Sequence, residues 1–152
     1  MMKMFEVNIY LETSLKGPGT RKGWYAAVLE FIKNGKAITR EDFVLEKETT
    51  YHKSVLCALA KSLKRLNASC HLNIYTDSIF VKNSVENNLD TWKANGYLNI
   101  KAEPIKNQEE WREVARLLSG HKVQFRITKR HSYSVWMREK AKSLENTECE
   151  DH

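Results

Sequence analysis

Three cysteines, two prolines and six glycines among 152 residues are too few for a disulfide-stapled, collagen-like or low-complexity chain. Cys57, Cys70 and Cys149 match no zinc-ligand spacing, so reduced thiols in a cytoplasmic protein are expected. Apolar runs such as Trp24 to Leu29 stop far below the ~20 residues that span a bilayer. The opening Met-Met-Lys-Met-Phe-Glu-Val lacks the apolar stretch of a secretory signal, so the Asn67-Ala68-Ser69 sequon is expected to stay unglycosylated. Repeats and flexible linkers are missing too. What is present is 41% hydrophobic and 29% charged residues, enough for one packed domain over residues 1–145. The net charge is +6, with 25 basic residues against 19 acidic. That excess points toward an anionic partner, and with no apolar run long enough to span a bilayer no membrane partner is expected.

Periodicity divides the chain. Phe5 to Glu12 alternates as a strand, Lys16-Gly17-Pro18-Gly19-Thr20 is turn chemistry, and Gly23 to Phe31 is a strand apolar on both faces. Asn34-Gly35 signals a hairpin into a third strand over 37–44. Thr49 or Thr50 caps a helix over 53–66, with Val55, Leu56, Leu59, Leu63 and Leu66 as its apolar stripe. A strand at 71–76 precedes Asp77-Ser78 and a helix through Val85. Residues 92–106 read as irregular, followed by a helix over 108–118, a strand over 122–128 and a helix over 135–144. An acidic tail, 146–152, is expected to be disordered. The order predicts an α/β fold: a mixed five-stranded sheet, three antiparallel strands then two parallel, flanked by helices.

Glu12 and Asp77 then stand at strand ends, where α/β sheets present ligand sites. Two adjacent carboxylates repel unless a cation lies between them, and oxygen-rich sites suit Mg²⁺. Each residue also has a plainer reading: Thr76-Asp77-Ser78 as a helix N-cap, Glu12 as a solvated strand end, His131 as a structural histidine, and Lys129-Arg130 as a wet basic face.

Together these residues resemble the type 1 ribonuclease H family. The opening strand with Glu12-Thr13-Ser14, the Gly-Trp-Tyr-Ala-Ala-Val-Leu strand, Thr49-Thr50, Tyr75-Thr76-Asp77-Ser78, and Trp92-Lys93 with Pro104-Ile105-Lys106-Asn107 and Trp111 carry the likeness. The resemblance implies an RNase H-like fold over residues 5–145. It also implies cleavage of the RNA strand of RNA–DNA hybrids by two Mg²⁺ or Mn²⁺ ions held by four carboxylates. Glu12, Asp77 and His131 fall on catalytic positions, with Glu12 and Asp77 as the metal ligands that remain. Val55 and Lys140 fall on the other two carboxylate positions, and neither can bind a metal. Thr50, Tyr51, His52, Trp92, Lys93, Lys129 and Arg130 fall on or near nucleic-acid-binding positions, and Ile79 replaces a glutamine.

Three readings remain open. The first is a domain that binds a hybrid or other duplex with weak or no hydrolysis, Lys140 filling the place of the metal charge and no metal required. The second is an active Mg²⁺-dependent nuclease using Glu46 or Glu48, and the third is a protein-interaction module. The charge is uneven: residues 121–142 alone carry +6 and the last ten carry −4, so the acidic end is expected to mask a basic segment.

Overall fold

Residues of opposite parity in the first strand leave for opposite faces of one sheet. In the computed structural model, which describes residues 4–150, with side chains as far as 147, β1 spans Phe5–Thr13. It sends Val7, Ile9 and Leu11 to one face and Tyr10 to the other. β2 (Arg21–Lys33) splits the same way, Tyr25, Ala27 and Leu29 against Trp24, Ala26 and Val28, so its centre is apolar throughout. Asn34 and Gly35 take φ of 52° and 76°, the left-handed pair a two-residue hairpin requires. They lead into β3 (Lys36–Thr49), which runs past the expected 37–44 because the ladder to β2 continues as far as Arg21 and Thr49. Backbone pairing holds that polar end where no apolar pattern marked it.

α1 (Tyr51–Leu63) starts two residues before the expected 53 because Thr50 is its N-cap, its Oγ1 accepting from the Lys53 amide at 3.3 Å. β4 (Cys70–Thr76) follows. Ser78, not Asp77, caps α2 (Ile79–Asn83), accepting from the Val81 amide at 3.1 Å. A π-helical turn, Ser84–Asn88, then α3 (Leu89–Ala94), carry helix well past Val85. The wider turn keeps Leu89 and Trp92 against the core, a phase that a regular 3.6-residue period does not show. α4 (Gln108–Leu118), β5 (Lys122–Ile127) and α5 (Ser134–Glu150) complete the chain.

The sheet order is β3-β2-β1-β4-β5, antiparallel among the first three strands and parallel in the β1–β4 and β4–β5 pairs, as expected. One face packs the larger core against α1 and α4, centred on Ile9, Leu56, Leu59, Leu72, Ile74 and Trp111. The other holds a smaller cluster in which Met137 and Ala141 of α5 meet Tyr10, Trp24, Ala26 and Val28. α5 runs on through Glu150, past the expected end of the last helix at 144, while Asp151 and His152 lie outside the described residues. No glycine or proline follows Leu144 to stop the helix, and Thr147 Oγ1 donates to the Ser143 carbonyl at 3.0 Å. No helix among the described residues is long and apolar enough to cross a membrane.

Candidate functional site

The parallel register sets up the site. Tyr10 pairs with Tyr75, so Glu12 and Asp77, each two residues further on, come out at the same level and on the same face. The Tyr10 and Tyr75 rings stack beneath them at 4.6 Å. The expected neighbourhood of the two carboxylates is therefore present, and both are committed to partners. Asp77 Oδ2 accepts from Lys16 Nζ at 2.8 Å and its Oδ1 from the Tyr51 hydroxyl at 2.5 Å. Glu12 is 5% exposed. Its Oε1 accepts from Ser134 Oγ at 2.7 Å, and its Oε2 lies 3.4 Å from the Arg138 guanidinium and 3.9 Å from Lys16 Nζ. Burial raises the Asp77 carboxyl, but the Lys16 hydrogen bond and charge and the Tyr51 hydroxyl outweigh it and hold the group below its ordinary value.

His131 closes the crevice from inside. Its side chain is 2% exposed, Nδ1 accepts from the Tyr133 amide at 3.2 Å, and Nε2 faces the Leu11 carbonyl at 3.2 Å and Glu12 Oε1 at 3.4 Å. That partner set assigns the neutral tautomer protonated at Nε2. The resemblance places His131 on a catalytic position; here the ring is buried, tilted against Tyr10 at 5.0 Å, and held by the short turn into α5. Burial pushes its pKa down, with the Leu11 carbonyl and Glu12 pulling the other way. Between the ordinary 6.5 and the lower folded value, the unfolded chain holds more protons than the folded one. His131 therefore contributes stability that is present above about pH 6.5 and lost as the pH falls below it. The urea midpoint is expected to drop between pH 7.5 and 5.5, and His131→Asn to flatten that slope. Equal slopes would refute the buried neutral ring.

Lys140 is not where it was expected. Met137 and Ala141 are the inward pair of α5, so Arg138 follows Met137 onto the crevice rim. Lys140, about 200° further round the helix, pairs with Glu41 on β3 and lies over the Phe43 and Trp136 rings. The helix is thus two residues out of phase with the expectation, Arg138 rather than Lys140 reaching the crevice. Val55 is buried at the back of the crevice, among Leu11, Glu12, Thr76 and Asp77. Glu46 lies beside Tyr25 and Cys57, and Glu48 is exposed near the end of β3, so neither substitutes for the missing helix carboxylate.

The residues present do not fit a divalent-metal centre. Octahedral Mg²⁺ needs oxygen ligands at about 2.0–2.1 Å. Among the described residues no three His, Cys, Asp or Glu side chains converge. The Lys16 ammonium lies between the carboxylates, and the Arg138 guanidinium stands beside Glu12. Two cations of the chain thus lie within 4 Å of these two anions. Lys16 was missed in the sequence because turn residues follow no periodicity; its place four residues beyond a strand-end glutamate was the available signal.

The expected binding residues divide. Tyr51 joins the crevice through Asp77, and His52 stands beside it, their rings 5.2 Å apart. Lys129 and Arg130 line a cleft of about 850 Å³ with Lys16, Asp77, Ile79 and Arg138. Thr50 is engaged as the α1 cap. The Trp92 ring packs on Trp111 at 5.2 Å at the edge of the core and stays half-buried, while Lys93 is exposed.

Sheet order, crevice position and flanking helices define an α/β domain of the ribonuclease H type. A profile of the family described as RNase H matches residues 5–150. Ribonuclease H of Wolbachia sp. subsp. Drosophila simulans (strain wRi) is 34% identical over 131 residues, covering 86% of this chain and 87% of that protein. Ribonuclease H of Francisella tularensis subsp. novicida (strain U112) is 34% identical over 144 residues, covering 95% and 91%. The structure of LC9-RNase H1, a type 1 RNase H with the type 2 active-site motif, superposes with a TM-score of 0.71 at 20% identity, over 87% of this chain and 66% of that one. A foamy viral protease–reverse transcriptase in complex with dsDNA gives 0.70 at 20% identity, over 93% and 95%. The chain belongs to the RNase H family.

Proposed function

We propose that this RNase H domain binds nucleic acid through its basic cleft and hydrolyses RNA–DNA hybrids weakly or not at all. The observation behind this reading is the Lys16 ammonium, 2.8 Å from Asp77 and 3.9 Å from Glu12, backed by Arg138 at 3.4 Å from Glu12. Cations of the chain stand where metal-dependent hydrolysis needs exchangeable ions, and a fixed ammonium carries no water to activate. Lys16, Lys129, Arg130 and Arg138 around one cleft supply the counter-charge for a phosphate backbone. Relatives in the family lend support, since a foamy viral protease–reverse transcriptase has been solved with an RNA/DNA hybrid and with dsDNA. Cys57 and Cys70, whose thiols are both pushed up by burial, suit a reducing cytoplasmic setting.

The test has two parts. A labelled hybrid incubated with Mg²⁺ or Mn²⁺ is expected to be cut at least about 100-fold more slowly than by the Wolbachia enzyme alongside it. Binding of the uncut hybrid is expected to weaken with salt, with a slope of log K on log salt of about −3.6 if four phosphates are neutralised. Rapid cleavage would restore the nuclease reading. No binding at low salt would favour the protein-interaction module.

A further inference from the structure

Beside the crevice, the first turns of α1 and α2 build an aromatic stack of which Tyr51 alone packs on the larger core and binds Asp77. Tyr51 and His52 lie 5.2 Å apart with their planes at 24°, and the His52 ring meets Phe80 at 4.2 Å and 31°. Phe80 is 45% exposed and Ile79 beside it 58%, two large apolar side chains held in water at consecutive positions. His52 Nδ1 is buried with no hydrogen-bond partner among the described residues, and burial, then the Lys106 charge, lowers the pKa of the ring. The imidazole is thus neutral at pH 7 and presents a face rather than a charge. The Tyr51 hydroxyl is taken by Asp77. Apart from the backbone, this rim offers flat or apolar surface and few free donors.

Cations flank the stack on both sides. A cavity of about 360 Å³, walled by Thr50, Tyr51 and His52, also carries Lys16 and Lys106. The cleft of about 850 Å³ on the other side carries Lys129, Arg130 and Arg138, with Lys16 common to both. A basic groove interrupted by stacked rings is the arrangement that holds an unpaired strand: phosphates follow the cations and bases lie on the rings. The base pairs of a duplex hide their faces from such rings, whereas unpaired bases offer them.

We propose that the Tyr51–His52–Phe80 stack is a base-stacking platform and that the preferred ligand is single-stranded nucleic acid. The proposal rests on the nucleic-acid-binding reading above and names the strand state that reading leaves open. Phe80 is the exposed end of the stack, where an incoming base adds the next layer, and the flanking lysines take the phosphates on either side.

Fluorescence anisotropy of the full chain tests it, using labelled twelve-nucleotide oligothymidylate, the matching DNA duplex and the matching RNA–DNA hybrid. Oligothymidylate is expected to bind at least about tenfold tighter than either duplex. Phe80→Leu, which keeps apolar volume and removes the ring, is expected to weaken single-strand binding about tenfold and to leave duplex binding within about twofold. Phe80→Trp should restore single-strand binding, and a circular dichroism spectrum and melting point matching the parent establish that the variants fold. Equal binding of single strand and duplex, or single-strand binding unmoved by Phe80→Leu, overturns the platform and leaves the nucleic-acid reading standing. Failure of all three probes to bind at low salt overturns both.

Discussion

Cleavage of an RNA–DNA hybrid is expected to appear in a variant that combines Glu12→Asp, Lys16→Asn, Val55→Glu and Arg138→Asp. Two changes rebuild the carboxylate set at Val55 and Arg138, one shortens the Glu12 side chain by a methylene, and one removes the ammonium from between the acids. In the parent, Lys16 and Arg138 neutralise Glu12 and Asp77. In the variant four carboxylates face one another, and only divalent ions can offset their repulsion. Hydrolysis is expected to rise at least about 100-fold over the parent in Mn²⁺ or Mg²⁺, since misplacement of about 1 Å at a site like this costs about that factor. The same combination with Lys140→Asp in place of Arg138→Asp is expected to stay inactive, because Lys140 faces Glu41 across the helix. Val55→Glu buries a charge at a fully packed position, so the restored variant should melt lower without metal and recover with Mg²⁺. A folded variant that binds the hybrid, takes up Mg²⁺ and still leaves RNA intact would show that the crevice is not a displaced active site.

Much of this arrangement was legible in residue order. Alternation in β1, β2 and β4 set which side chains share a face, and the resulting parallel pairing put Glu12 level with Asp77. Asn34-Gly35 marked its hairpin because few other dipeptides take two left-handed residues in succession. What escaped was of two kinds. Helix phase after a short loop was lost between His131 and α5, and an error of two residues, about 200° of rotation, exchanged Arg138 for Lys140. Met137 and Ala141, apolar at i and i+4, were the signal that fixes that phase. Contacts from turns were lost as well: Lys16 and the Tyr51 hydroxyl reach Asp77 across 61 and 26 residues of sequence, and no local pattern encodes such a meeting. The π-helical turn at Ser84–Asn88 belongs with the first kind, since it resets the phase of Leu89 and Trp92.

Glu12 is expected to carry more stability in this chain than a solvated strand end would. Its carboxylate accepts from Ser134 Oγ at 2.7 Å, and Ser134 Oγ in turn accepts from the His131 amide at 2.9 Å. Both contacts lie at the first turn of α5, where a negative charge also complements the helix dipole. Among the described residues, α5 and the turn before it are also attached by Met137 and Ala141 in the smaller core, Trp136 against Phe43, the Lys140–Glu41 pair, and Tyr133, whose hydroxyl donates to Glu30 at 2.5 Å and is pushed up to about 12 by that bond. Glu12→Ala leaves the Ser134 hydroxyl, the His131 Nε2–H side and two cations facing a gap. Lys16 and Arg138 can turn to water, but Ser134 is buried. A loss of about 2–4 kcal/mol follows for the broken buried network, on the order of 5–15 °C in melting temperature for a chain of this size. Glu12→Gln keeps an acceptor for Ser134 and should lose about half as much. Amide exchange should quicken first along α5 and leave α1 and α4 protected, because those helices pack on the other face. Millimolar Mg²⁺ is expected to leave the melting temperature of the parent unchanged, since its carboxylates already have their cations. A Glu12→Ala protein as stable as the parent, or a parent stabilised by Mg²⁺, would mean that the crevice is held by something other than the pairing of Glu12 and Asp77 with Lys16 and Arg138.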